Sequence, residues 1–514
     1  MTNRDLEAAW AYHNATKHSH ESLYADPHHL DWENQPLPFK IYTQLEPLPL
    51  PRDLLSTGVP ALSAVSAFNP PAEALAVPSL AFLASLLYFS AGITKRRQYP
   101  GGEILFRAAA CTGALYHIEL YLVCGDLPDL EAGVYHFGPG DFALRRLRRG
   151  DYRDALVQAT GGEQAVATAP LTVICTGTYW RNAWKYRSRT YRHCFWDTGT
   201  ILANLLAVAA AHMVPAKIVM GFVDAAVNAL LGLDAGREVA LTLVTLGHHP
   251  QTQPGPHPPI EPLVLETVPL SNTQVDYPTI RAIHAASALS HATDAAAWHG
   301  SSPSPARPEA IGELFPLSPL SDADIPADSI EQVILRRGSS RRFAQLPISL
   351  AQLSTTLLRA TRGIPADFLD PPAAMLNDLY LIVNAVDGLP SGTYVFQRER
   401  QALELLRRGS SRRDAGYLGL MQEIPADASV DIYFMTDLHA VLERYGNRGY
   451  RAAQLEAGIM GGKLYLSAYA QGLGASGLTF FDDDVTRFFS PHAADKSVMF
   501  LVALGRAGKQ RQES

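Results

Sequence analysis

Cysteine is scarce in this chain, and what there is suggests no pairing. Cys111, Cys124, Cys175 and Cys194 are the only four in 514 residues, and no CxxC or other metal-ligand spacing joins them. They read as reduced, packed thiols of a cytosolic protein. No histidine stands in a zinc spacing such as HExxH, so His13, His18, His20 and the pair His248–His249 are expected at the surface, and no metal is expected. Excess basic charge is also missing: 43 Lys and Arg stand against 50 Asp and Glu, for a net charge of −7. Charges are spread rather than blocked, which removes the field that nucleic acid would need. The N-terminus, MTNRDLEAAWAYHNATKHSH, lacks the apolar core of a signal peptide, which predicts a cytoplasmic protein. One charge-free run, Ala74 to Ile93, is long enough for a bilayer. A counterpart later in the chain assigns it instead to a buried helix, and no membrane association is expected.

What the chain does have is a repeat. Tyr121 in IELYLV and Tyr380 in NDLYLIV stand 259 residues apart. The same offset relates Gly133 of GVYHF to Gly392 of GTYVF, Gly150 after ALRRLRR to Gly409 after ALELLRR, and Gly199 of WDTG to Gly458 of LEAG. So long a period describes a duplicated domain rather than a solenoid. SLAFLASLL (Ser79 to Leu87) matches SLAQLSTTL (Ser349 to Leu357), in which Leu350, Leu353, Leu357 and Leu358 share one face of an amphipathic helix. Ile201 to Leu233, interrupted by His212, Pro215, Lys217 and Asp224, is expected as core and interface helix. The expected organisation is a lead segment over 1–60, a first copy over 61–250, a proline-rich connection over 251–325 and a second copy over 326–514. Each copy should be an α+β domain running helix, strand, GxYxF strand, helices and closing strand (VALTLVTLG or SVMFLVALG).

Two stretches of the second copy carry chemistry. ILRRGSSRRF (Ile334 to Phe343) sets four arginines around two serines, a composition suited to phosphate. Alone it reads equally as a solvated basic turn. Glu456-Ala457-Gly458 leads through a helix to GLGASG (Gly472 to Gly477), a glycine-rich turn where backbone can approach a flat ring.

In that order, RRGSSRRF, EAG and GLGASG resemble the FMN-binding signature of the nitroreductase superfamily. The resemblance implies Arg337, Ser339 and Arg341 on the FMN phosphate and ribityl chain. It implies Gly474, Ala475 and Ser476 beside the ring system, with Lys509 and Arg511 completing the phosphate site. In the first copy, AACTGALYHIELYLV (Ala109 to Val123) is similar to the PSAGALYPxELY segment of the SagB-type azoline dehydrogenases, a branch of that superfamily. It implies Cys111, Thr112, Gly113 and Ala114 against the flavin. WKYRSRTYR (Trp184 to Arg192) resembles that branch's Lys-Tyr motif, which implies Lys185 and Tyr186 as catalytic. AYHNATKHS (Ala11 to Ser19) resembles the opening of such chains.

The copies have lost different parts. Opposite RRGSSRR stands SAFNPPA (Ser66 to Ala72), without a basic residue; opposite Gly474, Ser476 and Gly477 stand Pro215, Lys217 and Ile218. Conversely, TGALY falls opposite PPAAM (Pro371 to Met375), and Lys185 opposite Arg444. In the homodimers of the superfamily each FMN lies between subunits, so the resemblance implies an intramolecular pseudo-dimer with one composite FMN site. Further pairing of chains stays open. Aromatising a thiazoline or oxazoline ring removes a hydride, which a flavin accepts, and a proton, which needs a base. Lys185 can serve if burial or cationic neighbours lower its pKa, and Arg187 and Arg189 lie close in sequence. The expected activity is FMN-dependent azoline oxidation in a ribosomally made precursor peptide, with a cyclodehydratase complex as partner. The alternatives are an NAD(P)H-dependent flavin reductase or nitroreductase, and a flavin-free scaffold.

Overall fold

The computed structural model describes residues 3–25, 28–68, 76–99, 102–250, 254–300, 311–371 and 373–508. Lys509 and Arg511 lie outside the described residues, as does most of SAFNPPA.

The repeat in the sequence is a repeat in space. Each copy builds a seven-stranded antiparallel sheet. The first runs, edge to edge, Pro47–Pro49, Ala143–Arg149, Gly133–Gly138, Ile118–Cys124, Leu171–Thr178, Glu238–Leu246 and Ala216–Val219. The second runs Leu314–Pro316, Ala402–Arg408, Gly392–Gln397, Asn377–Val383, Val430–Thr436, Ser497–Gly505 and Gly474–Leu478. The strands are apolar on both faces because helices cover both. Leu120 and Leu122 enter the main core, whereas their neighbours Tyr121 and Val123 enter a second cluster under the opposite face. The two edge strands Pro47–Pro49 and Leu314–Pro316 come from the lead segment and the connection, beyond the copy boundaries read from sequence.

Two long helices, Thr190–Ala211 and Arg448–Ala470, pack against each other between the sheets and merge both copies into one core. A Cβ added to Gly199 would stand 2.5 Å from the backbone of Gly458, and one on Gly458 would stand 2.7 Å from the Trp196 carbonyl. Only glycine permits this crossing. Pro60 bridges Ser329, and the backbone bonds Ala61 to Asp328 and Ile330 to Val59 likewise join the two copies. Ser79 and Ser349 cap equivalent helices, accepting from the amides of Phe82 (3.2 Å) and Gln352 (3.1 Å). The charge-free run therefore becomes the helix Leu80–Ala91, packed on Thr190–Ala211. Tyr179–Ala211 is long and apolar enough to cross a membrane, but its apolar window is 94% buried within the protein.

Exchanged ion pairs lock the copies together. Asp224 of the first copy accepts from Arg448 and Arg451 of the second, both at 2.6 Å. Asp482 of the second accepts from Arg189 (3.0 Å) and Arg192 (2.6 Å) of the first. All of these side chains are buried.

Two expectations need correction. Ile201–Leu233 is not one helix: it ends at Ala211, Met213 turns left-handed (φ 56°), and Ala216–Val219 is a strand before the helix Asp224–Leu231. Pro215, whose missing N–H and restricted predecessor oppose helix, explains the break. His13 is not at the surface but buried at 1% exposure, with its ring 3.3 Å from the Tyr450 hydroxyl.

Candidate functional site

RRGSSRRF follows the short helix Ile330–Arg336 and precedes the cap of Leu350–Ala360. Its backbone docks on the outer edge of strand Gly474–Leu478, where the Ser340 amide donates to the Ala475 carbonyl at 2.8 Å. GLGASG is thus an edge strand rather than a turn from Gly474 on, and the left-handed residue is Gly472 (φ 72°). The contact is so close that a Cβ on Gly474 would run into the Ser340 hydroxyl. That hydroxyl is buried and has no hydrogen-bond partner among the described residues. The Ser339 hydroxyl lies 3.2 Å from the Tyr465 hydroxyl, which also accepts from the Gly477 amide. Arg341 is exposed. Arg337 reaches instead into the first copy: its guanidinium donates to the carbonyls of Ala108 (3.0 Å) and Arg107 (3.2 Å) and lies over the Tyr465 ring.

On the first copy's side, the Cys111–Tyr116 loop approaches the same place. Its anchor is Asp197, on the long helix. Asp197 accepts from the Thr112 amide (2.9 and 3.0 Å), the Thr112 hydroxyl (2.8 Å) and the Cys111 thiol (3.1 Å). Burial pushes the Asp197 carboxyl up to about 6. Burial, then Asp197, raises the Cys111 thiol, so it stays protonated in this setting. Gly113 is left-handed (φ 62°), and a Cβ there would stand 2.7 Å from the Tyr186 hydroxyl. The Cys-Thr-Gly-Ala loop and the Lys-Tyr pair are therefore neighbours in space.

Lys185 and Tyr186 end the helix Tyr179–Tyr186, with the Lys185 ammonium 5.4 Å from the Tyr186 ring centroid. Lys185 is half-buried, and its pKa is lowered first by burial and then by Arg341. The cationic neighbour comes from the second copy, which corrects the expectation of Arg187 and Arg189. Arg189 is engaged by Asp482 and by the Thr16 carbonyl. The Tyr186 hydroxyl is held protonated by burial, then by Asp197 and Cys111.

The structure thus brings together Lys185, Tyr186, Gly113, Cys111, Thr112 and Arg341, with Arg337 bridging to the loop. Sequence reasoning missed Asp197, Ser340 and Tyr465. Asp197 left a signal: at the 259 offset stands Glu456, which likewise holds the loop before its strand through the amides of Leu376 and Asn377.

The pseudo-equivalent position in the other half is closed. Strand Ala216–Val219 takes the place of Gly474–Leu478, and its outer edge is covered by the second copy. The Ile218 amide donates to the Pro365 carbonyl (2.8 Å), and the Asp367 amide returns to Ile218 (3.0 Å). The Asp367 carboxylate accepts from the amides of Met220 and Gly221. Tyr445, at the position of Tyr186, donates to the Phe368 carbonyl at 2.8 Å. The segment Pro365–Phe368 plugs that site.

Comparison with known proteins agrees with the duplication. The nitroreductase family profile matches twice, over residues 113–248 and 334–506. A solved structure described as a nitroreductase, from Anabaena variabilis, is similar over both copies: 26% identity, 98% of this chain, 99% of that one and a TM-score of 0.77. The nitroreductase-like MJ1384 of Methanocaldococcus jannaschii is 26% identical over 168 residues, 32% of this chain and 84% of the relative. The microcin B17-processing protein McbC of Escherichia coli is 28% identical over 154 residues, 29% of this chain and about half (53%) of McbC. With both copies matched, the chain belongs to the nitroreductase family.

Proposed function

We propose that this chain is an FMN-dependent dehydrogenase that oxidises thiazoline or oxazoline rings of a ribosomally made peptide to azoles. We place it in the cytoplasm beside a cyclodehydratase that forms the rings. Its family makes it an oxidoreductase; the peptide reading rests on the similarity to McbC and on one geometric observation. The loop that seats Gly113 against Tyr186 follows the Arg107 and Ala108 carbonyls that Arg337 of the other copy's arginine motif bonds.

The residues present fit FMN. A buried hydroxyl with no partner among the described residues (Ser340) and an exposed cation (Arg341) sit on the edge of the Gly474–Leu478 strand. Arg341 and Ser339 would hold the phosphate and ribityl chain, Gly474, Ala475 and Ser476 the ring system, and Cys111, Thr112, Gly113 and Ala114 would complete the site from the first copy. Arg337 would join the halves by its bonds to Arg107 and Ala108. When bound, FMN supplies the hydride acceptor that aromatisation needs.

The proton falls to this chain's own residues. Lys185, its ammonium disfavoured by burial and by Arg341, carries a larger neutral fraction and can take the ring proton. Tyr186 keeps its proton and so acts as a donor, orienting the ring nitrogen. The plug at Pro365–Phe368 restricts the chain to one such site. The expected outcome for Lys185→Ala is folded, flavin-loaded protein with azole formation down by roughly 10²–10⁴-fold. Mass spectrometry of an azoline peptide reads this as loss of two hydrogens per ring. The similarity to MJ1384 favours a second reading, a reductase driven by NAD(P)H. Rapid NAD(P)H consumption with no azoline oxidised would establish that reading instead.

A further inference from the structure

We propose that Cys111, His117 and Asp197 form a binding site for one divalent transition-metal cation of the zinc type. The ligand atoms of the three side chains lie within 4.8 Å of one another. The Cys111 sulfur is 3.1 Å and the His117 Nδ1 3.4 Å from Asp197 Oδ2. Ligands bonded to zinc at about 2.0–2.3 Å in a tetrahedron stand roughly 3.3–3.8 Å apart, so small side-chain adjustments admit the ion.

An independent observation points the same way. His117 is fully buried, at 0% exposure; its Nδ1 faces Asp197 without a well-formed hydrogen bond, and its Nε2 has no partner among the described residues. Buried polar atoms are rarely left so, and a metal ion is one of the few things that satisfies a bare imidazole nitrogen. Arg181 and Arg107 stand near this histidine.

The surroundings are those of a supported ligand set. Thr112 fixes the Asp197 carboxylate through its amide and hydroxyl, and the Tyr116 amide donates to the Cys111 sulfur at 3.0 Å. Beside Cys111 and Asp197 is a small, mostly apolar cavity of about 10 Å³, lined also by Ala91, Ala109, Ala110, Ile118 and Ile201. The two arginines are engaged elsewhere, Arg181 by Glu119 and the Tyr116 carbonyl, Arg107 by the Pro38 carbonyl. Binding would displace the proton that Cys111 otherwise keeps, and the resulting thiolate with the Asp197 carboxylate would match the charge of a dication. The second copy serves as an internal control. Leu376 stands at the position of His117, so the second copy lacks the imidazole ligand even though Glu456, like Asp197, accepts from loop amides. The site therefore belongs to the first copy only, and an ion there would pin the loop that sets Gly113 beside Tyr186.

The test is metal binding by the full-length protein, independent of any peptide substrate or of flavin turnover. After chelator dialysis, Co²⁺ is added and bound metal counted by elemental analysis. Tetrahedral cobalt bands are read in the red, beyond flavin absorption. One equivalent is expected, displaced by Zn²⁺. Cys111→Ser and His117→Gln should each weaken it by ~10–100-fold or more, while Cys124→Ser, a buried thiol elsewhere, should not. No stoichiometric binding by folded wild-type protein, or binding unchanged in Cys111→Ser, overturns the proposal.

Discussion

Asp224→Asn should separate the two copies energetically. Asp224 is the shared acceptor for Arg448 Nη1 and Arg451 Nη1, each at 2.6 Å, and for the Leu289 amide at 3.0 Å. The aspartate and both guanidinium groups are buried. Removing the carboxylate leaves two buried cations without their counter-charge, and breaking such a pair typically costs about 3–5 kcal/mol. That is a large part of the roughly 5–15 kcal/mol by which a protein is stable. For copies of this size it corresponds to a fall in Tm of roughly 10 °C. The two arginines hold the carboxyl far below its usual range. A depressed carboxyl stabilises above the unfolded value of about 3.9 and loses that contribution as pH falls below it. The wild type should therefore lose this increment on acidification and the variant should not. Calorimetry with flavin fluorescence measures both unfolding and site loss. Replacing the whole triad (Asp224→Leu, Arg448→Met, Arg451→Met) should recover much of the loss, because no charge is left stranded. A Tm change under 3 °C for Asp224→Asn, or a triple variant as unstable as the single one, would refute the reasoning.

The composite site predicts about one FMN per chain, and Arg337→Ala with Arg341→Ala should give colourless, folded protein; two flavins per chain by absorption would contradict the plugged second site. Gly199→Ala drives a Cβ into the Gly458 backbone and should destabilise by about 1–3 kcal/mol, read as a lowered denaturation midpoint. Glu456, pushed up to about 7 by burial, favours the folded state while protonated. Its contribution should decline between the unperturbed carboxyl value of about 4.3 and about 7, and Glu456→Gln should flatten that limb of the stability curve.

The duplication, the α+β class and three strands of each copy were legible in the sequence because they depend on local apolar patterns that repeat with the chain. The 259 offset carries unchanged from Ile118–Cys124 to Asn377–Val383 and from Glu238–Leu246 to Ser497–Gly505. Gly199 and Gly458, seen only as matched letters, are the two residues that must lack side chains where the long helices cross. The candidate site was legible as fragments, since glycines and arginines in a motif mark a backbone and a charge, not a partner. Tertiary structure decided the partners. Arg341 rather than Arg187 or Arg189 bears on Lys185, because folding brings a loop of the second copy there while Asp482 draws Arg189 inward. Arg337 turns to the Arg107 and Ala108 carbonyls, and Asp197, 86 residues from Cys111, becomes the anchor of its loop. The closure of the second site by Pro365–Phe368 left no pattern in the residues themselves. Its backbone hydrogen bonds to the strand edge are ones nearly any side chains permit, and the partners of Asp367 and Tyr445, which reinforce them, are set only by the fold.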